Sequence, residues 1–239
     1  VGLAAGSSES WEDTVRGALA EEARVERLVR DLLLLACLDQ EAGSGSTGDG
    51  ATAEGSVVDL GNIVATELEA RPSREGVTVQ AETINGATVH MPMERARRVV
   101  ANLVDNAQRY ATSQVQVAVT IGGKGWIELV VQDDGPGIAP WDRERVFERF
   151  TRIDPARSAD EGGAGLGLAI VRDIVTRYGG TVRFVDCPDG ARAVVRMPHS
   201  SIVQMPVVAS QRAPGSGGDY LARSSRLRLL LLGRQTRRS

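Results

Sequence analysis

Two asparagines four residues apart open the run Asn102-Leu-Val-Asp-Asn106-Ala. On a helix this spacing projects both amides from one face. An amide carbonyl is a hard oxygen ligand suited to Mg²⁺, which keeps several waters and takes only a few ligands from protein. A solvated helix face would use the same pair. Further on, Asp133-Asp-Gly135-Pro-Gly137 follows an alternating apolar stretch ending at Gln132. A carboxylate fixed at a strand end can accept a hydrogen bond from an exocyclic amine such as that of adenine. Glycines there let the backbone pass close under a base with no Cβ in the way. A simple tight turn would have the same composition.

A third patch, Gly163-Ala-Gly165-Leu166-Gly167-Leu168, leads into a helix expected from Leu166 to Tyr178. Glycines ahead of a helix expose backbone N–H groups, and the positive dipole end favours a phosphate. The G-x-G-x-G spacing and the absence of a surrounding βαβ unit oppose a dinucleotide fingerprint. A Walker A lysine is excluded, because the only lysine, Lys124, has no G-x-x-x-x-G-K context.

Those patches must be held by elements with readable periodicity. Helices are expected over Leu60–Ala70, Glu94–Ala111 and Leu166–Tyr178, with a short one over Arg143–Phe150. Strands are expected over Val77–Glu82, Ala87–His90, Val115–Thr120, Ile127–Gln132, Thr181–Asp186 and Ala191–Met197. Helices mixed with hairpin-connected strands imply an α+β, two-layer α/β sandwich rather than a doubly wound parallel sheet. Gly179-Gly180 reads as a helix C-cap. The domain so defined covers 57–198.

Ahead of it, about Glu9 to Asp39 reads as a helix, with Val25, Leu28, Val29, Leu32, Leu35 and Ala36 at i, i+3, i+4, i+7 spacing. Residues 40–56 read as a flexible linker of Gly, Ser, Thr, Ala and acids. Beyond 198 the chain turns basic, with seven arginines against Asp219, so a net −3 leaves about −9 on the remainder. A basic, disordered tail over 199–239 is expected, not a nucleic-acid-binding domain. Cys37 and Cys187 lack metal-ligand spacing and read as inert thiols of a reducing cytoplasm. The apolar run Leu32–Leu38 is far short of the ~20 residues that span a bilayer.

Taken in order, Asn102–Ala107, Asp133–Gly137, Phe147-Glu-Arg149-Phe150 and Gly163–Leu168 resemble the N, G1, F and G2 boxes of the sensor histidine kinase ATP-binding domain. The resemblance covers about Glu94 to Pro198 with nothing inserted, and implies the Bergerat-type fold of that family. It implies ATP and Mg²⁺ as ligands. It makes Asn106 the magnesium ligand, sets Asn102 near the phosphates, and places Arg109 and Tyr110 for a phosphate contact and for packing on adenine. Asp133 becomes the adenine reader, with Gly135 and Gly137 beneath the base. Gly163, Gly165, Leu166, Gly167 and Leu168 form the phosphate loop. Thr151 to Gly162 has the length and character of a mobile ATP lid, with Arg149 and Arg152 as candidates to approach the phosphates.

The same resemblance makes residues 1–39 part of a dimerisation and phosphoacceptor hairpin, of which the N-terminal helix is the second helix only. It implies a homodimer through that helix, a response regulator partner and a cytoplasmic location, as part of a membrane-anchored kinase. Related hydrolases carry a glutamate four residues before the magnesium asparagine; here that position is Asn102, which cannot take a proton at neutral pH. The difference favours phosphohistidine chemistry, in which imidazole is itself the nucleophile. His90 and His199 are the only histidines, and neither stands in an H-box sequence. The expectation is therefore ATP binding with transfer to a histidine on another polypeptide or on a preceding segment. The alternative is a regulatory ATP-binding module without kinase activity.

Overall fold

The structure, a computed structural model, describes residues 11–43, 56–123, 125–153 and 164–200. The expected linker (from 44), most of the lid, Gly163, Lys124 and the tail from 201 lie outside the described residues.

A mixed five-stranded sheet forms one layer. Its strands are β2 (Thr78–Glu82), β4 (Gln114–Gly122), β5 (Trp126–Asp133), β7 (Arg192–Pro198) and β6 (Thr181–Val185), in that spatial order. Only β2 and β4 run parallel; the other neighbours are antiparallel. Three helices cover one face: α2 (Leu60–Ala70), α3 (Met93–Tyr110) and α4 (Gly167–Arg177). This is the expected α+β two-layer sandwich.

Strand periodicity explains how the layers seal. Val115, Val117 and Val119 of β4 and Ile127, Leu129 and Val131 of β5 are all buried, while their alternate neighbours are polar or partly exposed. Val100, Leu103 and Val104 of α3 and Ile170, Ile174 and Val175 of α4 complete the core. At about 1.5–3 kcal/mol per large apolar side chain, this burial dominates the stability of the domain.

A small strand pair was not expected: β1 (Val57–Asp59) pairs antiparallel with β3 (Thr88–His90), so β3 does not join the main sheet. The strand at β3 was expected, but β1, three residues long, carries too little alternation to be recognised as its partner. Asp59 ends β1 and caps α2, accepting from Gly61 N at 2.8 Å and Gly86 N at 2.6 Å. The expected short helix over Arg143–Phe150 is instead two 3₁₀ turns, Pro140–Asp142 and Arg145–Phe147. Phe147 is buried there and lies 5.5 Å from the Phe184 ring. Tyr178 ends α4, and Gly179 donates to Thr176 at 3.0 Å and Gly180 to Val175 at 2.9 Å, the expected C-cap.

The N-terminal helix α1 spans Trp11–Gly43, running four residues into the expected linker. Its apolar residues do not form one stripe. Leu28 and Leu35 pack on the domain core together with Leu34 and Leu38. Val25, Val29, Leu32 and Ala36 face solvent. Ion pairs reinforce the seat, with Asp31 meeting Arg98 of α3 and Asp39 meeting Arg149 at 2.6 Å.

Candidate functional site

Asp133 shares the buried face of the sheet with Ile127, Leu129 and Val131, because the period of two carries that face to the last residue of β5. The carboxylate therefore points toward the helices. Its Oδ1 accepts Gly135 N at 2.9 Å and Ala191 N at 3.3 Å, and Asp133 N donates to the Ala191 carbonyl at 3.0 Å. Oδ2 has no partner among the described residues, so it keeps its acceptor capacity. Burial pushes the Asp133 carboxyl up, while the two backbone N–H groups pull it back in part.

Asp134, one residue on, faces the other way and does a different job. It accepts from Thr112 N at 2.8 Å, Ser113 N at 3.0 Å and Ser113 Oγ at 2.6 Å. Those donors, the Ser113 hydroxyl first, hold its carboxyl far below the usual range. Asp134 thus pins this loop to the turn after α3, and only the adjacent carboxylate is left for a ligand.

The amides come from α3. Asn102 donates through Nδ2 to the Gly167 carbonyl at 3.1 Å, which joins α3 to the start of α4 and fixes which side of the amide is oxygen. Asn106 makes no hydrogen bond among the described residues, and its amide borders the same cleft. A free amide oxygen beside a phosphate-sized space is the donor a magnesium–nucleotide complex needs, so the residues present fit that ion. The α4 N-terminus closes this end. Its cap is Leu166, whose side chain has no oxygen to offer, so the first N–H groups of the helix remain available to an anion. Gly165 holds φ +72°, and a Cβ there would come within 2.9 Å of Phe150 and Thr151 backbone atoms.

Asn102, Asn106, Arg109, Tyr110, Asp133 and Gly137 thus surround one cleft of about 220 Å³ with Arg152, Gly165, Leu166, Gly167 and Leu168. Two expected residues are placed elsewhere. Gly135 does not line the cleft; a Cβ on it would sit 2.3 Å from the Tyr110 carbonyl, so its bareness serves contact with α3 rather than with a base. Arg149 is drawn away by carboxylates, meeting both oxygens of Asp39 at 2.8 and 2.6 Å and Asp173 at 3.1 Å. It joins α1 to α4. Gly163 lies outside the described residues. His90 lies on β3, and His199 Nε2 is 3.0 Å from the Gly86 carbonyl.

Other residues contribute without having been expected. Gly190 has φ +108°, and a Cβ there would lie 1.9 Å from the Asp133 carbonyl oxygen. It lets the β6–β7 turn back onto Asp133. The Pro188-Asp189-Gly190 turn signal marks that position, but nothing in sequence couples it to Asp133. Arg27 and Asp31 of α1 also border the cleft, and no local pattern links them to a site more than 70 residues away.

Residues 92–201 match the family of histidine kinase-, DNA gyrase B-, and HSP90-like ATPases. The chain is 46% identical over 106 residues to Sensor protein RstB of Escherichia coli K12, which is 44% of this chain and 24% of RstB. It therefore spans about a quarter of that relative's length. The structure of a mycobacterial sensor histidine kinase, MprB, aligns with a TM-score of 0.53 at 32% identity, over 60% of this chain and 97% of that one. Full-length ShkA, solved in complex with AMPPNP, aligns with a TM-score of 0.61 at 26% identity, over 81% of this chain and 40% of that one. Among the described residues no helix is long and apolar enough to cross a membrane.

Proposed function

The chain belongs to the sensor histidine kinases of two-component systems and carries their ATP-binding domain, and from that premise we propose that it transfers the γ-phosphate of ATP to a histidine other than its own two. One observation carries the reading: the cleft has opposite ends. At one end Asp133 offers a backbone-anchored acceptor to a base. At the other, Asn102, Asn106 and the uncapped start of α4 offer amide groups to phosphates. The AMPPNP bound to ShkA, an ATP analogue, supports that ligand class.

In this reading Asp133 selects adenine, Tyr110 packs on the base and Arg109 contacts phosphate. Asn106 holds Mg²⁺, which when bound neutralises phosphate charge and orients the γ-phosphate. The nucleophile is an imidazole nitrogen of the acceptor, attacking the γ-phosphorus while the bond to the β–γ bridging oxygen breaks and ADP leaves. Asn102 stands where related hydrolases carry their general base, and its amide takes no proton at neutral pH; the unprotonated nitrogen of a neutral imidazole attacks through its own lone pair.

The acceptor is a histidine on a helical-hairpin dimerisation domain, supplied by another polypeptide or lying outside these 239 residues. A response regulator then receives the phosphoryl group. The chain pairs with a second copy through the outer face of α1. There Trp11, Val15, Ala18, Val25, Val29, Leu32 and Ala36 recur at alternating spacings of three and four, interrupted at Glu22, and all are exposed.

Incubation with γ-labelled ATP and Mg²⁺, alone and with a hairpin fragment bearing an H box, tests the proposal. Acid-labile, base-stable label on the fragment alone is expected. Label on neither, with ATP binding demonstrated, would replace the kinase with a regulatory ATP-binding module.

A further inference from the structure

The helix that precedes the ATP-binding domain also reaches its cleft. Arg27 and Asp31, on successive turns of α1, both border it. The placement is anchored on the C-terminal side of Arg27: Asp31 is buried against Arg98, and Leu35 and Leu38 are buried in the core one and two turns further along. Asp31 is thereby spent on a cation of the domain. Arg27 is not so matched; among the described residues no carboxylate pairs with it. Asp105, a second carboxylate of the lining, is held by Arg71 at 2.7 Å, and Arg98 carries the same charge as Arg27. Burial lowers the Arg98 pKa, and the Arg27 charge lowers it further. An exposed arginine at a cleft rim, opposed by a second arginine, is a site lacking its anion.

Its position along α3 says which part of a ligand would supply that anion. Tyr110, at the end of α3, touches the loop after Asp133. Arg98 lies twelve residues earlier, about 18 Å at 1.5 Å per residue. Asn102 and Asn106 fall between them. Arg27, beside Arg98, is thus at the far end from the base reader. We propose that Arg27 is a nucleotide-binding residue that contacts the terminal phosphates of ATP, so that α1 completes the cleft. The inference rests on the reading above, in which the base lies at Asp133. Because binding free energies are reciprocal, a nucleotide with all its phosphates then holds α1 on the domain more firmly than one without.

Titrations of the whole chain with ATP, ADP and AMP in Mg²⁺ test this. Arg27→Ala is expected to weaken ATP about twofold to fivefold, the upper range of one solvent-exposed charge contact. ADP should weaken less and AMP by under about twofold, since neither carries the γ-phosphate. Arg27→Lys should recover part of the loss. Leu35→Glu, which unseats α1 without touching the cleft, should reproduce the ATP effect, and the double variant should add nothing to it. Unchanged ATP affinity in Arg27→Ala, or an equal loss for all three nucleotides, overturns the proposal. Failure of the unaltered chain to bind ATP would instead remove the nucleotide reading, and the role of Arg27 with it. Asp133→Asn keeps the two apart, because a lost base contact weakens all three nucleotides alike.

Discussion

Asp133→Asn changes a single side-chain group in the cleft, and its two consequences have opposite signs. The Oδ1 atom that accepts from Gly135 at 2.9 Å and Ala191 at 3.3 Å survives in asparagine, so the loop keeps both anchors. What changes is the remaining atom, where an NH₂ donor replaces a carboxylate oxygen. Against an adenine 6-amino group that sets donor against donor. Losing a charged hydrogen bond costs about 1.5–3 kcal/mol, a tenfold to hundredfold loss of ATP affinity.

Stability should move the other way. Burial raises the Asp133 pKa in the folded state, against the weaker pull of the Gly135 and Ala191 N–H groups. The folded protein therefore binds this proton more readily than the unfolded chain. Stability from this group is fully present below the ordinary carboxylate pKa of about 4 and is lost as pH rises through the raised folded value. At neutral pH the charged, buried carboxylate is a net cost. The variant should melt at or above the temperature of the unaltered chain at pH 7, and the gap should close below about pH 4. Calorimetric titration with ATP and Mg²⁺ reads the first effect and thermal melts across pH the second. Unchanged ATP affinity would remove Asp133 as base reader. A melting point lowered by several degrees would make it a structural residue.

Three further outcomes are expected. Gly190→Ala should destabilise the domain by about 2–4 kcal/mol, since its Cβ would lie 1.9 Å from the Asp133 carbonyl at φ +108°; urea denaturation measures this, and a loss under 0.5 kcal/mol would contradict the close approach. Asn106→Ala should abolish most of the Mg²⁺ dependence of ATP affinity while leaving affinity in EDTA about as it was. An undiminished magnesium effect would place the ion on other ligands. Leu32→Glu, on the outer face of α1, should shift a dimer to monomer in sedimentation velocity with an unchanged melting point for the ATP-binding domain. A strictly monomeric parent protein would count against pairing through that face.

Much of the fold was legible because its signals are local. The alternation along β4 and β5, the amphipathic α3 and the Gly179-Gly180 cap each fall within one element, where periodicity and turn chemistry apply directly. Misreadings came where local pattern is thin or shared. The three-residue strands β1 and β3 hold too little alternation to assign a sheet, and the 3₁₀ turns at 140–147 have a composition that suits a short helix as well. The leucine-rich part of α1 carries two apolar faces, one toward the domain and one toward solvent, and a single helical stripe merged them.

The site divides in the same way. Residue type and order alone determined the chemistry available: two amides one turn apart, a carboxylate at a strand end, and glycines before a helix. Which of these face one another was settled only by packing. The strand register turns Asp133 inward and leaves Asp134 to anchor the loop. The paired carboxylates of Asp39 and Asp173 remove Arg149 from the cleft, and the seat of Leu35 and Leu38 brings Arg27 to its rim. Side-chain type is a local property of the chain. Burial, partner and direction depend on contacts between residues distant in sequence, so they exist only once the layers have closed.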